Sequence, residues 1–206
     1  VPLKNQGHSH LLWDRPLPEA VIVHAATGAA LGGMRPVAEI QFGGFAALAM
    51  NALINNAAQL RWRWGANVPM VVRIPLGAKT RSGPFHANMI ESWFANDPGL
   101  IIVAPSTPQD AYDLLVESAK IDDPVIFLEP KRIYRAFKQE IPEEDYTVPL
   151  EKANIVRNGD DITLVSYGSM LQNTLEAAEI ASNELSINCE VIDLRSLRPI
   201  DYATVI

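Results

Sequence analysis

Short, unbroken apolar runs alternate along this chain with stretches whose apolar residues recur at helical spacing. An Ala/Gly-rich helix is predicted from about Pro18 to Leu31, ended by Gly32-Gly33. VAEIQF (37–42) reads as a strand, and FAALAMNALINNAAQLRW (45–62) as one long helix. VPMVVRIP (68–75) is the next strand, followed by a Gly/Ser/Pro loop and a short helix over ANMIESWFA (87–95). GLIIVAP (99–105) is a buried strand, and Thr107-Pro108-Gln109-Asp110 has the form of a capping box opening a helix to Lys120. PVIFLEP (124–130) is again a strand. Strands this continuously apolar, separated by helices, predict a mostly parallel α/β sheet covered by helices on both faces.

A charged, proline-punctuated connection, KRIYRAFKQEIPEEDYTVP, then leads to the start of a second α/β unit. Its predicted elements are strand 161–168, a helix to Glu184 and strand 188–194, and the division falls into residues 1–145 and 146–206. Residues 1–13 lack a period and read as loop. The first residue is Val1, and Asp201 appears in the sequence as the cap of a helix of little more than one turn, so a fragment or processed chain is expected. In the long helix, Asn51, Asn55, Gln59 and Arg63 fall on one stripe, and no charge occurs from Gly43 to Leu60. That helix is expected to be buried on most sides or held in a subunit interface.

Charge narrows the partners. Lys plus Arg is 17 and Asp plus Glu is 24, giving a net charge of −7, which argues against nucleic acid or an anionic membrane as the main partner. Cys189 is the one cysteine and lies in an apolar run, so an internal disulfide is excluded and a reducing compartment is expected. The sequence has no apolar window of membrane-spanning length and no secretory signal pattern.

Ligands of such sheets sit at the carboxyl ends of the strands, which here carry QFGGF (41–45), PLGAKTRSGPFH (75–86), APSTP (104–108) and EPKRIYR (129–135). Within them, His86 ends a long loop after a strand and can serve as a proton donor or acceptor near neutral pH; an ordinary loop histidine is equally compatible. Phe45 follows two glycines and either offers a ring face to a flat ligand or starts the helix core. Arg81 and Ser82 precede His86 in its loop. Glu19 stands behind Pro16 and Pro18 at the entrance to the first helix, where an acid favours the positive helix end. No metal-ligand spacing is present; His8 and His10 read as exposed, His24 as packed in its helix, and Trp62 and Trp64 as packing or interface residues.

DRPLPEA, GMRPVAEIQFGGF, VVRIPLGA, PFHANMIESWFANDPGL, APSTPQDAYDLL, DDPVIFLEPKRIYR and EEDYTVPLEKA, in that order, resemble the beta subunit of the decarboxylating component of 2-oxo acid dehydrogenase complexes. The resemblance runs from Asp14 to the end. It implies a transketolase-like thiamine diphosphate enzyme performing oxidative decarboxylation of a 2-oxo acid with acyl transfer to lipoamide. Residues 1–145 would be the pyrimidine-binding domain and 146–206 part of the C-terminal domain. The diphosphate and Mg2+ would be held by an alpha-type partner, since the family's Gly-Asp-Gly motif with paired asparagines is absent from this chain. An alpha2beta2 assembly and a lipoyl-bearing acyltransferase are the implied partners, in the cytoplasm or the mitochondrial matrix.

Carried over by position, Glu19 matches the glutamate facing the aminopyrimidine ring, Phe45 the aromatic residue stacking on it, and His86 the active-site histidine. The chain departs from the family's pattern where Pro18 precedes Glu19, where Ala87-Asn88 follows the histidine, and where Gly44 replaces a frequent acidic residue. SAKIDDP (118–124) is one residue short at a place where some relatives bind potassium, so no such ion is assigned. Two other readings stay open: another transketolase-like thiamine diphosphate enzyme, or a non-catalytic truncated interaction module.

Overall fold

Two strands carry the centre of the first sheet because nearly every residue in them is apolar. β2 (Val71–Leu76) and β4 (Val125–Pro130) pair in parallel, and all six residues of β4 are buried. In this computed structural model, residues 5–14, 16–78, 81, 83–141 and 148–206 are described. Arg15, Ser82 and the division at 145/146 fall outside the described residues. β1 (Val37–Glu39) flanks β2, β3 (Ile101–Val103) flanks β4, and β8 (Ser196–Arg198) completes a five-stranded sheet in the order β1-β2-β4-β3-β8. Its first four strands are mutually parallel, as the apolar runs predict.

Alternate residues of these strands face two cores. Val72, Ile74, Ile102, Ile126 and Leu128 pack toward α1 (Glu19–Leu31) and the helical segment after Gly43. Val71, Val103, Val125 and Phe127 pack with Leu114 of α4 (Pro108–Lys120) and with Val148 and Leu150. The expected cap of α4 is present: Thr107 Oγ1 accepts from the Asp110 N–H at 3.1 Å, and Pro108 occupies the first turn.

The long helix expected over 45–62 is not a single α-helix. The chain runs through a 3-10 stretch (Gly43–Ala49), a π-helical turn (Asn51–Asn56) and a second 3-10 turn (Ala57–Gln59) before α2 (Leu60–Trp64). Asparagine chemistry accounts for part of this. Asn56 Nδ2 donates to the Asn51 carbonyl at 3.2 Å, using an acceptor of the backbone ladder, and Asn55 Nδ2 donates to Asn51 Oδ1 at 2.8 Å. The segment is buried along Ala46, Ala49, Ala52, Leu53, Ala57 and Ala58, whereas Asn51, Asn55 and Leu48 are exposed in this chain. His24, expected to be packed, is also exposed, because the buried face of α1 runs through Val23, Ala26, Thr27 and Ala30. Of the two readings of Trp62 and Trp64, packing within this chain does not hold, since they are 86% and 73% exposed. The short helix expected over 87–95 is confined to α3 (Glu91–Ala95).

The second sheet has the order β5-β7-β6, with β5 (Asn154–Arg157), β6 (Ile162–Ser166) and β7 (Cys189–Asp193) backed by α5 (Leu171–Leu185). β6 and β7 are the predicted strands and are parallel. β5 was not expected, because NIVR offers only two apolar residues; it pairs antiparallel with β7. β8 was not expected either. It pairs antiparallel with β3, carrying the chain from the second sheet back into the first. Cys189 is buried on β7. Asp201 precedes α6 (Tyr202–Val205), yet its carboxylate does not cap the backbone N–H groups of that helix: it accepts from Thr204 Oγ1 at 2.6 Å and from the Ala153 N–H at 3.3 Å.

A buried polar cluster joins the two sheets. Ser106 Oγ donates to Asp193 Oδ1 at 2.9 Å and accepts from the Gly168 N–H at 2.7 Å. Arg195 Nη2 lies 2.7 Å from Asp110 Oδ1, and the Arg195 N–H donates to Asp193 Oδ1 at 3.3 Å. Burial, reinforced by the charge of Asp110, pushes the Asp193 carboxyl up to about 6 despite the Ser106 hydrogen bond. The folded chain therefore holds the Asp193 proton more tightly than the unfolded chain does. That contribution to stability is complete below about pH 4 and is lost as pH rises through about 6, a swing of about 2–3 kcal/mol. Asp193→Asn, neutral at every pH and still able to accept at Oδ1, is expected to flatten denaturant-measured stability between pH 4 and 7 and raise it at pH 7.5. An unchanged pH profile would contradict this account.

Candidate active site at the carboxyl ends of the first sheet

Three of the four strand-end loops converge. After β1 the chain is extended at Phe42 and turns through Gly43-Gly44 to Phe45. After β2 the long loop ends in a 3-10 turn, Pro84–His86, entered through Gly83 at φ +78. After β4 comes Lys131. The His86 ring meets the Phe42 ring edge-on with centroids 4.5 Å apart and the Phe45 ring at 5.5 Å, and the two phenyl rings are themselves 5.9 Å apart. Such perpendicular contacts match the quadrupoles of the rings and contribute roughly 1 kcal/mol each beyond buried area.

The glycine pair admits this approach. A Cβ on Gly44 would lie 2.7 Å from Asn88 Oδ1 and 3.1 Å from the Phe85 carbonyl, and one on Gly43 would lie 3.2 Å from the Asn88 carbonyl. Asn88 thus occupies the space that a side chain at position 44 would need, which accounts physically for two of the departures from the family's pattern occurring together. The Asn88 carbonyl also accepts from the Gly77 N–H at 3.1 Å, tying the two ends of the loop.

Lys131 Nζ donates to the His86 carbonyl and sits 4.8 Å from the Phe42 ring centroid. Burial lowers its pKa. Between β2 and β4, Arg73 holds the buried Glu129 carboxylate with two hydrogen bonds, at 2.5 and 3.0 Å, and the Tyr134 hydroxyl donates to the same carboxylate at 2.6 Å. Arg73 is raised chiefly by its hydrogen bonding to Glu129, and Tyr134 is raised chiefly by burial, so the arginine stays charged and the phenol stays protonated near neutral pH.

Glu19 opens α1 directly after Pro18, and α1 packs against the 3-10 stretch that carries Phe45. Its residue is only 8% exposed. Among the described residues, no hydrogen bond or ion pair engages its carboxyl group. Its carboxyl oxygens are not fully buried, so the group is open to solvent or to a molecule from outside the chain. A carboxyl group at the start of α1 and the rings of Phe42 and Phe45 are the kinds of group that a flat nitrogen heterocycle would use.

Of the residues singled out from the sequence, Phe45 and His86 are in ring contact, and Glu19 is on the helix that packs against the Phe45 segment. Arg81 is exposed at φ +53. The fourth loop, APSTP, does not join this site; Ser106 and Thr107 serve the sheet junction and the α4 cap instead. Sequence reasoning missed Phe42, Asn88 and Lys131 as parts of the site. Their signals were positional: Phe42 immediately precedes a glycine pair, and Lys131 immediately follows the proline that ends an apolar strand.

His8 and His10 are exposed with ring centroids 6.3 Å apart, and among the described residues no group of three or more His, Cys, Asp or Glu is placed to hold a metal ion. At the C-terminus of α4, Arg35 Nη1 donates to the carbonyls of Ala119 and Ile121 at 3.2 and 2.8 Å, and Nη2 pairs with Asp122 at 2.6 Å. A guanidinium therefore supplies positive charge at the SAKIDDP turn. Among the described residues no helix is long and apolar enough to cross a membrane.

A parallel sheet sandwiched by helices, with a buried glutamate at a helix start and an aromatic-lined histidine at the strand ends, defines a transketolase-type pyrimidine-binding fold. The solved structure of a split gene transketolase, an inactive beta4 tetramer, shares it with a TM-score of 0.75 at 22% identity over 91% of this chain and 57% of that one. The chain belongs to the transketolase pyrimidine-binding domain family, which it matches over residues 3–136, and residues 151–206 match the transketolase C-terminal domain. It is 44% identical to the pyruvate dehydrogenase E1 component subunit beta of Acholeplasma laidlawii, over 98% of this chain and 62% of that one. It is equally 44% identical to the 2-oxoisovalerate dehydrogenase subunit beta of Bacillus subtilis (strain 168), over 99% of this chain and 63% of the relative. The chain thus spans less than two thirds of the length of these relatives, and its resemblance to the beta subunits holds over almost all of it.

Proposed function

We propose that this chain is the beta-type subunit of a 2-oxo acid dehydrogenase decarboxylating component. The observation that carries this reading is Glu19, a largely buried residue at the start of the helix that packs against the Phe45 segment, whose carboxyl group no described residue engages. The similarity to beta subunits of both pyruvate and branched-chain enzymes supports it. Residues 1–145 form the pyrimidine-binding domain in this reading, and 146–206 the beginning of the C-terminal domain.

Thiamine diphosphate supplies, when bound, the electron sink that decarboxylation of a 2-oxo acid requires. The residues of this chain hold and prime it. Glu19 would hold the aminopyrimidine and serve it as a proton donor and acceptor at its carboxyl group. Phe45 would bind the pyrimidine through its aromatic ring. His86, held by ring edges, moves a proton near the 2-oxo group or during acyl transfer to lipoamide. The diphosphate and Mg2+ fall to an alpha-type partner, in an alpha2beta2 assembly served by a lipoyl-bearing acyltransferase. The compartment is the cytoplasm, or the mitochondrial matrix in a eukaryote.

The test is 2-oxo acid-dependent dye reduction by the chain, in its full natural sequence, co-expressed with an alpha-type subunit. Turnover that requires thiamine diphosphate and Mg2+ is expected, and the preferred oxo acid names the substrate. A correctly assembled complex with no cofactor-dependent turnover would refute the reading. In the same assay His86→Ala is expected to cut turnover at least about a hundredfold while changing cofactor affinity far less. Loss of thermal stability with turnover per folded enzyme retained would instead make His86 a packing residue.

A further inference from the structure

Among the described residues, Lys131 is a buried cation with no counter-ion. Its residue is 8% exposed, and among the described residues no carboxylate lies within ion-pairing distance of it. Its own electrostatics give it no stabilising pair, since burying an ammonium group costs free energy that only close partners offset. The partners it does have are two of the site's three loops: it donates to the His86 carbonyl, and its charge lies over the Phe42 ring at 4.8 Å. At the Pro84–His86 turn the His86 N–H reaches the Gly83 carbonyl by a long bond of 3.4 Å, and the Ala87 N–H donates to the Pro84 carbonyl at 3.2 Å. Phe85, next to His86, is exposed. The turn is held by these backbone bonds and by contacts from outside it, of which the Lys131 bond reaches its last residue.

We propose that Lys131 is a positioning residue that sets the imidazole of His86 by clamping the Pro84–His86 turn to the Phe42 ring. The ammonium fixes the carbonyl of His86 from the β4 side while the Gly43-Gly44 surface receives Asn88 from the β1 side. With both holds in place, the ring of His86 stays perpendicular to Phe42 and within 5.5 Å of Phe45. The catalytic consequence rests on the function proposed above; the mechanical one does not.

The experiment compares Lys131→Met, which keeps the aliphatic stem, with Lys131→Arg, which restores donor and charge, in the assembled complex. Hydrogen exchange measured by mass spectrometry is expected to rise at least about tenfold in peptides covering residues 83–88 of Lys131→Met and to return toward wild type in Lys131→Arg. In steady-state assays kcat should fall at least about tenfold with KM changed less than about threefold, because the misplaced group acts in the reaction and not in uniform binding. Wild-type exchange at 83–88 in Lys131→Met would overturn the proposal. So would exchange raised throughout the chain together with a failure of Lys131→Arg to rescue, which would make Lys131 a general structural residue. If the wild-type complex shows no 2-oxo acid turnover but the exchange pattern holds, the proposed function fails and the clamp stands.

Discussion

Glu19→Gln is expected to lower 2-oxo acid turnover about a thousandfold or more and to leave the fold intact. Two effects compete at this position, and their sizes separate them. As an acid in the first turn of α1, Glu19 favours the positive end of the helix, an interaction of about 0.3–1 kcal/mol that a neutral amide forfeits. As a proton-exchanging group its loss removes a step that no neighbour supplies, since no other carboxyl group of the described residues is placed with it on α1. A glutamine of the same shape fills the same space, so packing around Val23 and Ala26 is unchanged. Dye reduction and thermal unfolding of the assembled complex decide the matter. Turnover within tenfold of wild type, with a lowered Tm, would leave Glu19 as a helix-start residue and nothing more.

Gly99→Ala is expected to destabilise the chain by more than about 4 kcal/mol, enough to prevent its accumulation as folded protein. Gly99 enters β3 at φ +91, a conformation that L side chains rarely adopt. A Cβ there would lie 2.0 Å from the Ala58 carbonyl oxygen, and 2.9 Å from its carbonyl carbon, so the obstacle is backbone and cannot swing aside. Ala58 is buried beneath the sheet with Ala57, so relief would require the helical segment to lift off the core. Soluble yield and denaturant unfolding measure the effect; a variant folded within about 1 kcal/mol of wild type would contradict the close approach.

The sheet was legible because burial on both faces demands largely apolar strands, and VVRIPL, IIV and VIFLEP are apolar except for Arg73 and Glu129, which pair with each other. The α4 cap was legible because Thr107-Pro108 encodes it locally. What escaped was set by partners distant in sequence. The 43–64 segment has the apolar period of a helix, and the detours through 3-10 and π geometry depend on asparagine side chains and on what the alanines press against. β5 and β8 are too short and too polar to announce themselves; their pairing with β7 and β3 creates them. In the site, Phe45 and His86 were recognisable from their places at strand ends. Lys131 was not, because a lysine in a charged stretch looks like solvated surface, and only the fold shows it buried under His86.

The placement of β8 has a consequence for how the chain is made. The four parallel strands of the first sheet are all synthesised by Pro130, but the strand that covers the β3 edge arrives only with Ser196–Arg198. Between those points a nascent chain carries a sheet whose outer edge offers unpaired N–H and C=O groups, an invitation to pair with another chain. The second sheet must be built and turned back before that edge is closed. Closure of the β3 edge therefore waits on the synthesis of Ser196–Arg198, and not on completion of the first core.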